Sequence, residues 1–79
     1  MLLFEIDQKS SIPYTVFNMR GEELFDLIDI AWAKRTAPLA NDPGSYVINL
    51  GMIIGKAGET ALKIIVIPGT SELITAYPI

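Results

Sequence analysis

The chain has 79 residues, which is the size of one small domain. Hydrophobic residues make up 51% of it, a high share because a domain of this size buries only about 60% of its unfolded surface. We therefore expect either a rich core or apolar surface that a partner, a second copy or another part of a longer chain covers. Nine acidic and six basic residues give a net charge of −3, which argues against a broad polyanion-binding surface.

Two residue types are missing, and each absence excludes a class of site. Without cysteine there is no disulfide, no thiolate catalysis and no zinc–cysteine centre. Without histidine, the commonest general base and metal ligand is lost. No apolar run reaches the roughly 18–20 residues of a transmembrane helix, and the first residues do not resemble a signal peptide. We expect no metal, no cofactor and no membrane partner, whereas export as the tail of a longer protein stays open.

The first third of the chain predicts two short strands and a helix. Residues 2–6, LLFEI, and residues 14–17, YTVF, are the strand candidates, separated by a turn at 7–13. The clearest element is a helix within residues 18–35, because apolar residues recur there every three or four positions and acidic residues cover the other side. The apolar face consists of Leu24, Leu27, Ile28, Ala31 and Trp32, and the acidic face of Glu22, Glu23, Asp26 and Asp29.

Residues 46–78 predict three strands, at 46–55, 61–67 and 72–78, with a bend at Gly51 and turns at 56–60 and 68–71. Short turns between strands are typical of an antiparallel meander. The predicted fold class is therefore α+β, a single domain over residues 1–79 with one amphipathic helix packed on an antiparallel β-meander of three or more strands. Alternation makes both faces of the middle strand apolar, so the face away from the helix needs another covering layer.

Thr75 and Tyr77 are the first candidate site residues. They lie two positions apart on the last strand, so we expect them to share a face with Leu73. A hydroxyl and a phenol on one face can form a binding site, although β-propensity by itself also accounts for both residues.

Cationic residues are the second group of candidates. Lys56 lies in a glycine-flanked turn, GKAGE, where backbone N–H groups beside the lysine could meet an anion, although a solvated hairpin lysine is the simpler interpretation. Arg20 precedes the helix and Arg35 lies at its end, where bases usually serve the helix dipole and solubility. A nucleic-acid role requires these residues to converge with Lys56 and Lys63.

From about residue 22 to residue 79, the chain resembles the C-terminal half of bacterial EndoU-type ribonuclease toxin domains. The resemblance lies in EELFDLIDIAWAKR, DPGSYVINLGMIIGKAGET and LKIIVIPGTSELITAYPI, of which the last is the most specific. It implies metal-independent RNA cleavage, in which the ribose 2′-hydroxyl attacks the adjacent phosphate and leaves a 2′,3′-cyclic phosphate. It also implies that Thr75 and Tyr77 contact the nucleotide, with Lys56 or Lys63 stabilising charge on the phosphate. Arg20 and Arg35 are further candidates for substrate binding.

The family's two histidines are missing from this chain. Under the resemblance, three interpretations compete: a C-terminal lobe of a longer toxin, a histidine-free nuclease, or an inactive relative kept for binding. The resemblance further implies delivery as part of a larger toxin into the cytoplasm of a target cell. RNA such as tRNA, a cognate immunity protein and a missing N-terminal lobe are the expected partners.

Two alternatives from other classes stay open. The chain could be a non-enzymatic binding protein of the immunity or inhibitor type, whose acidic helix docks on a basic partner. It could also be a homo-oligomeric structural domain that buries its second sheet face against a copy of itself.

Overall fold

A computed structural model describes residues 12–79 of the protein. Helix α1 spans Glu22–Ala33, and strands β1, β2 and β3 span Ser45–Asn49, Ala61–Val66 and Leu73–Pro78. The strands form one antiparallel sheet in the order β1-β2-β3. This architecture confirms the predicted α+β fold of a helix on an antiparallel meander. The predicted strand at residues 2–6 lies outside the described residues. No helix in the described part of the chain is long and apolar enough to cross a membrane.

Helix α1 begins after Gly21, whose φ of 63° belongs to the left-handed region that glycine adopts without a Cβ penalty. Glu22 and Glu23 occupy the first turn, where negative charge complements the helix dipole. The helix ends at Ala33, and the backbone N–H of Lys34 closes the last turn on the carbonyl of Ile30 at 3.2 Å. The five apolar residues predicted to line one face are all buried.

The core lies between α1 and one face of the sheet, which we call the inner face. Side chains of β2 alternate strictly between buried and half-buried positions, so every second residue faces the helix. Phe17 and Ile54 reach the same cluster from connections between the elements. The buried cluster consists of Phe17, Leu24, Leu27, Ile28, Ala31, Trp32, Ile48, Ile54, Leu62, Ile64, Val66, Leu73 and Ala76.

The predicted strand at residues 14–17 is wrong, because the structure has a short 3-10 helix at Tyr14–Val16 instead. The backbone N–H of Val16 donates to the carbonyl of Pro13 and that of Phe17 to the carbonyl of Tyr14, so the chain turns tightly after the proline. Phe17 follows in extended conformation and is 1% exposed. Its burial in the core overrides the β-propensity of its neighbours.

Strand β1 is shorter than predicted, since it ends at Asn49 and not at residue 55. The side-chain carbonyl of Asn49 accepts a hydrogen bond from the backbone N–H of Gly51 at 3.0 Å, and Gly51 has a φ of 70°. A side-chain-capped turn of this kind stops the strand ladder. The predicted bend at Gly51 is therefore present, but it terminates the strand.

Strand β3 contains an irregularity that changes which face one residue occupies. Thr75 pairs with Ile65, yet the next pair along the strands joins Leu73 to Val66, so Ile74 is an extra residue on β3. A β-bulge of this type reverses the alternation beyond it. Leu73 is consequently buried on the inner face, and the expectation that it shares a face with Thr75 and Tyr77 is wrong.

Candidate functional site on the outer face of the sheet

Strand register gathers three of the predicted site residues on the outer face, the side of the sheet opposite α1. In the middle strand, Lys63 pairs with Val47 of β1 on one side and with Tyr77 of β3 on the other. One pair further along, Ile65 pairs with Thr75. Paired residues of antiparallel strands point to the same face, so the three polar residues share one surface. We call this set, Lys63, Thr75 and Tyr77, the outer-face site.

The Lys63 amine lies near the face of the Tyr77 ring. The Lys63 Nζ atom lies 5.9 Å from the centroid of the Tyr77 ring, at the outer limit of about 6 Å for a cation–π interaction. Both side chains are half-buried. The ammonium group of lysine carries three donors and no acceptor, so it is suited to an anionic ligand beside an aromatic ring.

The surroundings of the outer-face site are largely apolar. Val47, the other cross-strand neighbour of Lys63, is 39% exposed, and Ile65 is half-buried between the rows of Lys63 and Thr75. Thr75 is half-buried and has interaction partners of its own. Val47 was missed at the level of sequence, where it is one of several alternating apolar residues. Only the pairing of β1 with β2 places it beside Lys63.

The turn around Lys56 does not provide an open anion site, because its backbone donors are already used. The N–H of Lys56 donates to the carbonyl of Val16 at 3.0 Å, and the N–H of Gly58 to that of Gly55 at 3.1 Å. The N–H of Ala57 donates to the Glu59 carboxylate at 3.0 Å. The turn thus binds a carboxylate of its own chain where an external anion was envisaged, and only the exposed Lys56 side chain remains as a candidate.

Lys56 lies near the end of β3, but its turn approaches the strand from the inner face of the sheet. A Cβ atom built on its neighbour Gly55 would lie 3.0 Å from the Cβ of Pro78, the residue that follows Tyr77. The same Cβ would meet the end of the flexible Glu59 side chain, so a larger residue at position 55 would displace that carboxylate. Pro78 pairs with the buried Leu62 and so faces the core, which places the Lys56 turn at the Tyr77 end of β3 but on the other side of the sheet from the outer-face site.

Arg20 lies at the same end of the molecule as Lys56. Two residues before Arg20, Asn18 donates from its backbone to the Ile54 carbonyl at 3.0 Å and from its side chain to the Ile53 carbonyl at 3.1 Å. These bonds tie the segment before α1 to the segment before Lys56. Both cationic side chains are exposed.

Arg35 is separated from the other candidates, because it lies on the helix side of the sheet. Its guanidinium carbon is 4.0 Å from the centroid of the Trp32 ring and 6.0 Å from that of Tyr46, and one of its nitrogens donates to the Trp32 carbonyl at 2.9 Å. Tyr46 pairs with the buried Ile64 on the inner face. The convergence of Arg35 with Lys63 that a nucleic-acid role requires is therefore not observed, and Arg35 closes the helix end.

Within residues 12–79, no group of three or more acidic residues is arranged to hold a metal ion. Comparison with known proteins identifies no relative: no family model matches the chain, and no curated protein or solved structure matches it significantly. The outer-face site is therefore the feature from which a function is inferred.

Proposed function

We propose that the protein is an RNase-toxin-like module of a bacterial competition system that contacts RNA through the outer-face site. One observation carries the proposal: the pairing of β2 with β3 places a lysine amine beside a tyrosine ring, with a threonine one pair away on the same face. Single-stranded RNA presents unstacked bases and phosphates, which suit an aromatic ring and an adjacent cation.

Each residue of the outer-face site has a role in this proposal. The ring of Tyr77 stacks on a base or orients the ribose, and the amine of Lys63 interacts with the neighbouring phosphate. Thr75 contacts a pyrimidine edge or a phosphate oxygen through its hydroxyl. Lys56 lies at the Tyr77 end of β3 on the inner-face side, so it contacts only RNA that continues past the end of the strand.

The proposed reaction is transesterification without a metal ion. The ribose 2′-oxygen forms a bond to the adjacent phosphorus while the bond from phosphorus to the 5′-oxygen breaks, which leaves a 2′,3′-cyclic phosphate and a 5′-hydroxyl. One proton must leave the 2′-hydroxyl and one must reach the 5′-oxygen. Since the chain has no histidine, we assign charge stabilisation to Lys63 and proton transfer to groups of a second polypeptide or missing lobe.

In this proposal the chain contributes half of an active site, delivered within a larger toxin and acting in the target-cell cytoplasm. Its expected substrate is RNA such as tRNA, and a cognate immunity protein is its expected inhibitor. The test is a binding titration with a uridine-containing oligonucleotide and with tRNA, metal chelated, followed by analysis of cleavage products. We expect binding that Lys63→Gln and Tyr77→Leu weaken. Absence of RNA binding by the intact chain would overturn the proposal.

The second candidate function is non-enzymatic binding of a basic protein. It is favoured by the exposure of Glu22, Glu23 and Asp26 on the side of α1 away from the core. Asp26→Asn separates the two functions, because it lies outside the outer-face site. This variant should leave RNA binding unchanged, whereas a binding protein would lose affinity for its basic partner.

A further inference from the structure

Strand β1 pairs only with β2 among the described strands, and its main-chain groups alternate between two directions. The N–H of Val66 donates to the Gly44 carbonyl at 2.8 Å, and the N–H of Leu50 donates to the Thr60 carbonyl at 3.0 Å. These bonds flank β1 at even-numbered residues, so its even positions bond to β2 and its odd positions direct their N–H and C=O groups away from the sheet. The outward positions are Ser45, Val47 and Asn49.

The first outward position is already covered by the connection between α1 and β1. The Ser45 carbonyl accepts a hydrogen bond from the Leu39 N–H at 2.9 Å, and the Ser45 N–H donates to the Asp42 carbonyl at 3.0 Å. Within residues 12–79, no group bonds the outward N–H and C=O groups of Val47 and Asn49. The edge of β1 is thus closed at Ser45 and open over the next two outward positions. We call these two residues, Val47 and Asn49, the open edge.

Three features that protect the edges of natural sheets are missing from the open edge. Edge strands are commonly kept apart by charged side chains, by proline or by a β-bulge. Strand β1, SYVIN, contains no charged residue and no proline, and its pairing with β2 has no register shift. Both residues of the open edge are exposed to solvent. Unpaired N–H and C=O groups at strand spacing are complementary to another strand.

We propose that the open edge pairs with the open edge of a second copy of this chain. A two-fold axis that passes beside Ile48, perpendicular to the sheet, places Val47 of each copy opposite Asn49 of the other. Paired positions of this kind exchange both hydrogen bonds, so four bonds join the copies and no outward group of the open edge stays unpaired. The two sheets then form one sheet of six strands, in which the outer faces lie on the same side and stay accessible.

The two ends of the open edge explain why a second copy fits better than an unrelated strand. In the two-fold register, Ser45 of one copy, where the edge is closed, lies opposite Gly51 of the other. Gly51 has a φ of 70° and donates to the Asn49 side chain at 3.0 Å, so the chain leaves the strand ladder there. An extended strand that continued past this position would collide with residues 39–42, whereas β1 ends before it reaches them.

Exposed apolar side chains on both sides of the open edge support the same pairing. Leu39, which bonds to Ser45, is 36% exposed, and Met52, which follows Gly51, is 50% exposed. Since Ser45 lies opposite Gly51 of the other copy, the two-fold axis brings residue 39 of each chain close to residues 51–52 of its partner. Apolar surface is then removed from water at two symmetry-related places, as in other isologous dimers.

The first experiment measures the mass of the chain against its concentration by sedimentation equilibrium. The contact is small, so we expect a weak, reversible dimer that appears between about 10 μM and about 1 mM. Val47→Lys should raise the dimer Kd at least about tenfold, because it brings like charges together at the two-fold axis. The matched control is Val16→Lys, since Val16 is 40% and Val47 39% exposed, and its Kd should equal that of the parent chain. Added salt should not weaken the dimer, because both copies carry a net charge of −3.

The second experiment tests the register by cross-linking, which is clean because the chain has no cysteine of its own. In Val47→Cys/Asn49→Cys, the opposed Cα atoms lie about 5.5 Å apart, within the range of about 4.4–6.8 Å for a disulfide. Val47→Cys and Asn49→Cys alone are the controls, because each then meets its own copy only diagonally, at roughly 7–8 Å. We expect the double variant to form at least about fivefold more disulfide dimer under mild oxidation than either single variant.

Circular dichroism at low concentration shows whether each variant is folded before it is compared. A parent chain that stays monomeric at about 1 mM would overturn the proposal. A dimer that Val16→Lys dissociates, and folded Val47→Lys does not, would place the contact elsewhere and likewise reject it. Equal cross-linking of the single and double cysteine variants would contradict the two-fold pairing. None of these outcomes depends on RNA binding.

Discussion

Lys63 and Tyr77 face each other across β2 and β3 on the side of the sheet that α1 leaves uncovered, with the Lys63 amine 5.9 Å from the centre of the Tyr77 ring. A cation held beside an exposed part of an aromatic ring can serve a ligand that is flat and negatively charged. Nucleotides have both properties. Stacking on Tyr77 should show in the Kd, whereas a phosphate contact of Lys63 should show in the salt dependence of binding.

Replacement of the Tyr77 ring should weaken RNA binding through loss of stacking. Tyr77→Leu is expected to raise the Kd for a uridine-containing oligonucleotide by about 5-fold to 150-fold, since a stacked base is worth about 1–3 kcal/mol. Tyr77→Phe is the matched control for binding, because it retains the ring, and it should stay within about twofold of the parent chain. Fluorescence anisotropy with a labelled oligonucleotide gives both values. Equal affinities for Tyr77→Leu and Tyr77→Phe would contradict base stacking.

Loss of the Lys63 charge should reduce the salt dependence of RNA binding. With single-stranded RNA, each neutralised phosphate contributes about −0.7 to the slope of log K against log salt concentration, so Lys63→Gln should make the slope shallower by about that amount. Lys63→Arg should restore it, because the positive charge returns. A slope that is the same in all three proteins would show that Lys63 does not contact phosphate.

Removal of one methyl group should affect the two faces of β2 differently. Ile64 is fully buried against α1, whereas Ile65 is half-buried on the outer face. Ile64→Val is therefore expected to lower the free energy of unfolding by about 0.5–1.5 kcal/mol, and Ile65→Val by less. Urea denaturation followed through Trp32 fluorescence measures both. The reverse order would mean that the outer face is covered in solution.

Arg35 should contribute to stability and not to RNA binding. Its guanidinium stacks on Trp32 and donates to the Trp32 carbonyl, away from the outer-face site. Arg35→Gln should lower the free energy of unfolding by about 0.5–1 kcal/mol, the value of a cation–π contact at an exposed position. RNA affinity should be unchanged, which anisotropy titration can check. A marked loss of affinity in the folded variant would place Arg35 on the RNA path.

The helix and the three strands of residues 12–79 were predictable because each follows a local pattern. The apolar residues of α1 recur every three or four positions, so burial of one helix face follows from that period. Strand β2 is apolar on both faces, so its sequence predicted a strand, and only the structure shows which face the helix covers. The turn at residues 68–71 was also predictable from its composition and is confirmed by the hydrogen bond from the Thr70 N–H to the Ile67 carbonyl at 3.0 Å. At residues 14–17 the local pattern predicted a strand, but the chain forms a 3-10 turn there and buries Phe17 in the core.

The sequence by itself determined the fold class, the core face of α1 and the presence of Thr75 and Tyr77 on one strand face, because these depend on residues close together in the chain. Tertiary structure alone decided that Lys63 lies beside Tyr77, that Leu73 turns inward at a bulge and that Arg35 is on the opposite side of the sheet. Strand register and helix docking join residues far apart in sequence, and a shift of one residue moves a side chain to the other face.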